Sequence, residues 1–355
     1  MTDLFLKVKI HQEQQLPFVL YCKPNSDRII GLFQKNDHLY FLENYEEKGF
    51  VFAPFDASMI PYIPLEFSNV VVDNIPTSGV PSKSDKTKIN NTFGKDFFED
   101  IVAKAIMEID KNRFSKVVLS RKEEVLLSDF DMEQVFRRMI ATYDTAFRYF
   151  FYHPKIGTWL GATPEQFLKV NTTTVSTVAL AGTQLVEGNK NPVWSDKEDK
   201  EQQFVTDYIV ESLEDLVKEM TISMPYAIKA GNLWHIKTDI SAKLKPKQTL
   251  QPIIAALHPT PAVCGLPKQA AKDFITAFEG YDREYYSGFL GELNSDLASL
   301  KSKQSDLFVN LRCMKILKDR AQLYMGCGIT QGSTPEAEYV ETVNKSMTMK
   351  RILSI

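Results

Sequence analysis

Short β-branched and aromatic runs bounded by turn residues dominate this chain, and they do not alternate regularly with helical patterns. Residues 18–21, 29–33, 39–42 and 50–52 read as strands within a strand-rich stretch over 1–75. Residues 116–121, 148–152, 158–161, 166–170 and 174–181 read the same way. A parallel doubly wound sheet requires a helix between successive strands. These runs lack that regular spacing, so the pattern predicts a mixed α+β fold on antiparallel sheets.

Helical periodicity appears between the strand groups. Phe98, Ile101, Val102, Ala105, Ile106 and Ile109 form one apolar stripe. A second helix is expected over about 197–220, with Glu198, Glu201, Val205 and Tyr208 on one face. A third is expected to open at Pro267 and run to Glu279. Residues 307–316 and 321–325 alternate like paired strands. Ser333, Thr334 and Pro335 signal a last helix start, with Glu336 spaced for a capping box. That helix carries Glu338, Glu341 and Lys345. The composition over 76–95 predicts an exposed connection. No internal repeat or low-complexity tract is visible.

Charge narrows the function classes. The 42 basic and 45 acidic residues leave a net charge of -3. No field favours nucleic acid or an anionic membrane. Cys22, Cys264, Cys313 and Cys327 are far apart and lack CxxC spacing, which predicts free thiols in a reducing compartment. Residues 1–10 do not resemble a signal peptide, and no apolar run reaches membrane-span length, so a cytoplasmic protein is expected. There is no GxxxxGK[ST], HExxH or GxSxG, and Gly326, Gly328 and Gly332 are spaced one residue too long for a dinucleotide fingerprint.

Two expected helices each present acids three apart, Glu198/Glu201 and Glu338/Glu341. Such pairs share a face. Facing each other, they would suit a hard cation, which takes one or two carboxylates plus substrate oxygens and water. Spacing alone also fits two solvated faces. Lys116 opens an apolar run and is either a strand-end charge or, if desolvated, a base. Glu165 follows Thr-Pro and is either a loop-tip acid or a general acid with a raised pKa. Gly326-Cys327-Gly328 closes an expected strand and is either a turn or a close approach for an anion. Arg312 suits a carboxylate or a structural ion pair.

Ten segments then line up with one family: 115–121 (SKVVLSR), 161–165 (GATPE), 179–183 (ALAGT), 198–202 (EDKEQ), 235–238 (HIKT), 257–267 (LHPTPAVCGLP), 283–288 (REYYSG), 311–312 (LR), 326–330 (GCGIT) and 335–345 (PEAEYVETVNK). In this order they resemble the chorismate-binding enzymes. The likeness spans roughly 115–345, and residues 1–90 are only loosely similar. It implies a large single α+β domain of two packed antiparallel β-sheets with helices outside. Residues 1–92 would be the strand-rich N-terminal part of that fold and 93–355 the chorismate-binding catalytic region.

The resemblance also implies roles. Lys116 is the general base for an attacking water and Glu165 the general acid for the departing C4 hydroxyl. Glu201 and Glu341 match Mg²⁺ ligands, and Glu198 and Glu338 match their acidic neighbours. Arg312, Tyr286, Lys345, Gly326 and Gly328 match groups that hold substrate carboxylates, with His235 and Thr183 lining the pocket. Ammonia-using members carry Gln where this chain has Lys116. Ala262 stands where the aminodeoxychorismate type has a nucleophilic Lys and where pyruvate-eliminating members usually have Thr. Together these imply an Mg²⁺-dependent isochorismate synthase that needs no amidotransferase partner. A salicylate synthase and a non-catalytic chorismate-binding protein are the alternatives. Menaquinone and siderophore synthesis both use such a step, and a monomer is expected. Gln202, where many members have His, and Ala242, where Gly is common, depart from the pattern.

Overall fold

The β-branched runs pair into two large sheets because each buries one face against the other sheet and one against helices. The computed structural model describes residues 2–75, 94–127, 130–185, 191–230, 233–246 and 248–353. The first sheet has nine strands, in the order Gly265–Leu266, Lys116–Leu126, Arg320–Ile329, Cys313–Ile316, Gly157–Thr163, Phe147–His153, Phe18–Cys22, Arg28–Gln34 and Ser68–Asn74. The second has ten. Nine run in the order Val217–Ile222, Leu233–Leu244, Thr174–Leu185, Gln166–Asn171, Gln304–Val309, Phe289–Leu293, Gly49–Ala53, Pro61–Pro64 and Tyr40–Phe41, and Tyr226–Ala230 pairs beside Leu233–Leu244. The pairings within both sheets are antiparallel, as the sequence pattern predicts.

An aromatic layer fills the space between the sheets. Phe147 stacks on Phe308 at 4.3 Å between ring centres, Phe52 on Phe151 at 4.3 Å, and Tyr21 meets Phe50 at 5.2 Å. Each such pair joins one sheet to the other and adds ~0.5–1.5 kcal/mol beyond its buried area. Helices Asp196–Glu214 and Leu250–Leu257 cover the outside of the second sheet through Val205, Ile209, Leu213, Ile253 and Leu257. Helices Thr2–Glu13 and Met132–Thr142 cover one part of the first sheet. Helices Lys95–Asp110, Lys268–Phe278 and Pro335–Leu353 cover the part that carries Lys116. No helix among the described residues is long and apolar enough to cross a membrane. All four cysteines are free and buried.

Several local expectations need correction. Residues 2–13 are helical, not part of a strand run: Leu4, Phe5 and Val8 bury at helical spacing, and Phe5 packs edge-on to Phe136. Charged residues between them conceal this short stripe. The helix expected to reach 220 stops at Glu214, and Val217–Ile222 pairs with Leu233–Leu244 instead. The 307–316 run is two strands in different sheets, broken at Leu311–Arg312. Gly326–Gly328 lies inside the last strand, opposite Ser120, Leu119 and Val118, which excludes a turn. Ser333 does not cap through Glu336: its hydroxyl takes the Thr330 N–H at 3.1 Å and bonds Glu338. A capping box forms between Ser195 and Glu198. The helices Met132–Thr142 and Leu250–Leu257 were not expected from the sequence. The connection expected over 76–95 falls largely outside the described residues.

Candidate active site

Strand alternation aims Lys116 inward. Val117 and Leu119 pack under the helices, so Lys116 and Val118 project from the opposite face. The side chain is nearly buried, and its Nζ lies 2.7 Å from Glu201 Oε1 on the Asp196–Glu214 helix. Gly328, on the neighbouring strand, makes room: a Cβ there would sit 3.1 Å from Lys116 Cε. Glu201 is itself placed by the next residue. The Gln202 amide is buried and donates to Thr238 Oγ1 at 2.5 Å and Thr206 Oγ1 at 2.9 Å, tying the helix to the Leu233–Leu244 strand. Gln202 therefore does packing work where the family pattern often has His.

Glu165 and Arg312 sit at two adjacent crossings between the sheets. The chain leaves the first sheet after Thr163 and enters the second at Gln166, with Glu165 between. It returns after Val309 and re-enters the first sheet at Cys313, with Arg312 between, at φ +47°. The crossings are stitched together. Val309 N–H donates to Glu165 O at 3.0 Å, Ala162 N–H donates to Arg312 O at 3.0 Å, and the Thr163 hydroxyl donates to Val309 O at 2.6 Å.

The charges of these groups act on one another. Burial pushes the Glu165 carboxyl up to about 7, against the opposing pull of Arg312, Lys116 and Lys345. Burial pushes Arg312 down, while Tyr286, Glu341 and Glu165 raise it. Its guanidinium has no hydrogen-bonding or ion-pair partner among the described residues. Three cations around one acid suit a ligand with more than one carboxylate. His235 Nδ1–H donates to Gly182 O at 3.0 Å, and burial lowers its pKa, aided by Lys345 and Arg312.

The last helix closes the other side. Lys345 Nζ donates to Gly326 O at 2.8 Å and pairs with Glu341 Oε1 at 2.6 Å. The Tyr286 hydroxyl comes within 2.8 Å of where a Cβ on Gly326 would stand, so glycine is required there. The Tyr286 ring stacks on Tyr324, and burial raises its phenol pKa. Glu338 has one carboxylate oxygen buried without a partner. Burial and then the Glu341 charge raise its pKa, partly offset by Ser333, Cys327 and Lys345.

A cation fits this donor set in part. No group of three or more His, Cys, Asp or Glu side chains spaced for a metal occurs among the described residues. A magnesium site completed by substrate oxygens and water needs only one or two carboxylates. The orphaned Glu338 oxygen beside Glu341 meets that need.

Glu198 reaches the pocket edge: a Cβ on Gly182 would lie 3.3 Å from Glu198 Cβ, and its carboxylate also takes the Ser195 N–H at 2.8 Å. Thr183 pairs in register with His235, but its side chain lies outside the described residues. Ala262 lies in the turn before Gly265–Leu266, the strand opposite Lys116 and Val117, and among the described residues no hydrogen bond or strand pairing places it against the other site groups. Thr163 and the Gly182 carbonyl were not singled out from sequence. Both act through the crossing and the register of two strands, which no short motif encodes.

The profile of the family described as chorismate binding enzyme matches residues 69–354. The isochorismate synthase EntC of Escherichia coli K12 is 29% identical over 268 residues, covering 73% of this chain and 67% of that protein. The salicylate biosynthesis isochorismate synthase of Pseudomonas aeruginosa is 32% identical over 266 residues, covering 72% of this chain but only 54% of that protein. Among solved structures, the menaquinone-specific isochorismate synthase MenF of Escherichia coli superposes with a TM-score of 0.77 at 20% identity, covering 95% of this chain and 88% of that one. Anthranilate synthase component I of Streptococcus pneumoniae gives 0.70 at 17% identity, covering 94% and 92%. These likenesses show the shared fold, and the profile match over most of the sequence shows the rest: this chain belongs to the chorismate-binding enzyme family.

Proposed function

We propose that this chain is an Mg²⁺-dependent isochorismate synthase, converting chorismate to isochorismate. One observation carries the reading: the Glu165 carboxyl, partly buried and raised to about 7, lies within reach of the charges of Lys116, Arg312 and Lys345, a set suited to a dicarboxylate. Near neutral pH Glu165 is substantially protonated, so it can donate to a leaving hydroxyl. Lys116 faces the same space and, once its ammonium has given up a proton to solvent, its amine can take one from water. The water oxygen bonds to C2, the ring double bonds shift, and the C4–O bond breaks with the proton from Glu165. The proton taken by Lys116 and the one lost by Glu165 are then exchanged with solvent. Arg312, Lys345 and Tyr286 hold the substrate carboxylates, and His235 borders the ring.

Magnesium, held by Glu201 and Glu341 with Glu198 and Glu338 behind them, would supply positive charge for a substrate carboxylate. Glu201 pairs with Lys116 and Glu341 with Lys345, and both lysines act on Glu165, which supports that assignment. Ala262 offers no hydroxyl or amine, which favours stopping at isochorismate. A lysine at 116 favours water over ammonia and a chain that works without an amidotransferase.

Incubating the purified chain with chorismate, with and without Mg²⁺, and separating the products tests the proposal. Isochorismate formed only with Mg²⁺ is expected. Salicylate with pyruvate would move the chain to the eliminating branch, and no conversion by folded protein would reject the reading. Two variants sharpen it. Arg312→Lys should raise the chorismate KM by about 10-fold, because a lysine cannot form the bidentate pair. Glu341→Gln should raise the Mg²⁺ needed for half-maximal turnover by at least ~10-fold. An unchanged Mg²⁺ titration would remove Glu341 from the metal set.

A further inference from the structure

Arg283 belongs to the REYYSG segment, yet it has no part in the chemistry above. Its surroundings explain why a fully charged side chain is buried there. The Lys116 strand has one outer neighbour, the two-residue strand Gly265–Leu266, paired only with Val117 and Lys116. One further bond, Val118 N–H to Cys264 O at 2.8 Å, ends that edge. Beyond it, Val118 O and Ser120 N–H have no strand to meet among the described residues. Unpaired in the interior, each would cost ~1–3 kcal/mol.

Arg283 and Glu279 take the place of that strand. Arg283 Nη2 donates to Val118 O at 2.7 Å, and Glu279 Oε1 accepts the Ser120 N–H at 2.7 Å. Glu279 Oε2 accepts the Ser120 hydroxyl at 3.0 Å and Arg283 Nε at 2.8 Å, while Arg283 Nη2 also bonds Glu279 Oε1. The fork reaches further. Arg283 Nη1 donates to Val263 O at 2.9 Å, next to Ala262, and the Arg283 carbonyl accepts the Tyr286 N–H at 2.9 Å. The guanidinium also lies over the Phe55 ring at 4.5 Å. Arg283 thus joins the segments that carry Lys116 and Ala262 through its side chain and meets Tyr286 through its backbone carbonyl.

We infer that Arg283, held by Glu279, is a positioning residue that fixes where the Lys116 amine and the Tyr286 hydroxyl stand in the pocket. The inference rests on the isochorismate-forming reading above. Net stabilisation is a weak reason to keep such a pair, since desolvation offsets most of the attraction inside a protein. Direction is the better reason. Only a guanidinium presents donors in a rigid plane to two carbonyls and a carboxylate at once. Catalysis is sensitive to that direction, since a displacement of about 1 Å can cost ~10²-fold.

The test compares the parent chain with Arg283→Lys in chorismate and Mg²⁺, at a temperature where near-UV circular dichroism shows both fully folded. Lysine keeps the charge and one bond but cannot span the three acceptors. The expected result is a kcat lower by ~30–100-fold with KM within about threefold. A purely structural role would lower the melting temperature and leave kcat of the folded variant unchanged. Folded Arg283→Lys with kcat within twofold of the parent therefore overturns the inference. If Arg283→Lys does not fold, Ser120→Ala serves instead, because it removes a hydroxyl that bonds Glu279 and the Tyr281 hydroxyl while leaving the Arg283 bonds in place. It should lower kcat by about fivefold at unchanged KM, and an unaltered kcat overturns the inference. A folded parent that makes no isochorismate rejects the functional reading itself and the positioning role with it. An active parent with an equally active variant rejects the positioning role alone.

Discussion

Glu165→Gln is expected to lower turnover of chorismate by at least ~10²-fold while the protein stays folded, because glutamine cannot give a proton to the departing hydroxyl. The pH dependence separates this from a packing effect. The protonated acid is the active form, so kcat/KM of the parent should fall as pH rises through about 7, where burial has placed the Glu165 carboxyl. That alkaline limb should vanish in Glu165→Gln. Stability should move the opposite way. A carboxyl whose folded pKa is raised binds its proton more tightly in the folded state. It therefore costs nothing below its ordinary value, and the cost builds between that value and about 7 and stays above it. The variant should melt higher than the parent at pH 8 and about equally at pH 4. Steady-state kinetics and a pair of melting curves check both. A parent-like rate, or an alkaline limb that persists in the variant, would remove the acid assignment.

Lys116→Ala should also cost at least ~10²-fold in turnover. Charge and base function can be separated at this position. Lys116→Arg keeps a cation beside Glu201, but arginine does not deprotonate in proteins, so it should be as impaired as the alanine variant. If arginine restores most of the rate, the residue acts as a fixed charge and the base lies elsewhere. Chorismate binding, followed by calorimetry, should survive in both variants, since Arg312 and Lys345 remain to hold the substrate carboxylates. Loss of binding in either variant would instead assign Lys116 to substrate affinity.

Much of the site was legible as residue types. The stripe from Phe98 to Ile109 became the Lys95–Asp110 helix, burying Phe98, Ile101, Val102, Ala105 and Ile109. Glu198 and Glu201 share a helix, as do Glu338, Glu341 and Lys345, and the structure adds a 2.6 Å pair between Glu341 and Lys345 that the sequence analysis did not anticipate. What spacing could not show was which other group each would meet. The partner of Glu201 is 85 residues away on another element. Residues 307–316 misled for the same reason: local alternation is equally satisfied by one long strand or by two strands in different sheets.

By itself, the sequence determined some local elements, the Lys95–Asp110 helix among them, and the antiparallel character of the sheets, because side-chain periodicity is a property of a few neighbouring residues. It also determined which ionisable groups are present, since lysine, glutamate and arginine bring their functional groups wherever they end up. Tertiary structure alone decided their states and company. Burial at the crossing between the sheets raises the Glu165 carboxyl to about 7, and desolvation depends on everything packed around a group rather than on its neighbours in the chain. The open edge beside Val118 and Ser120 likewise exists only once the sheet has formed, and only then does it become clear why Arg283 and Glu279 are buried together there.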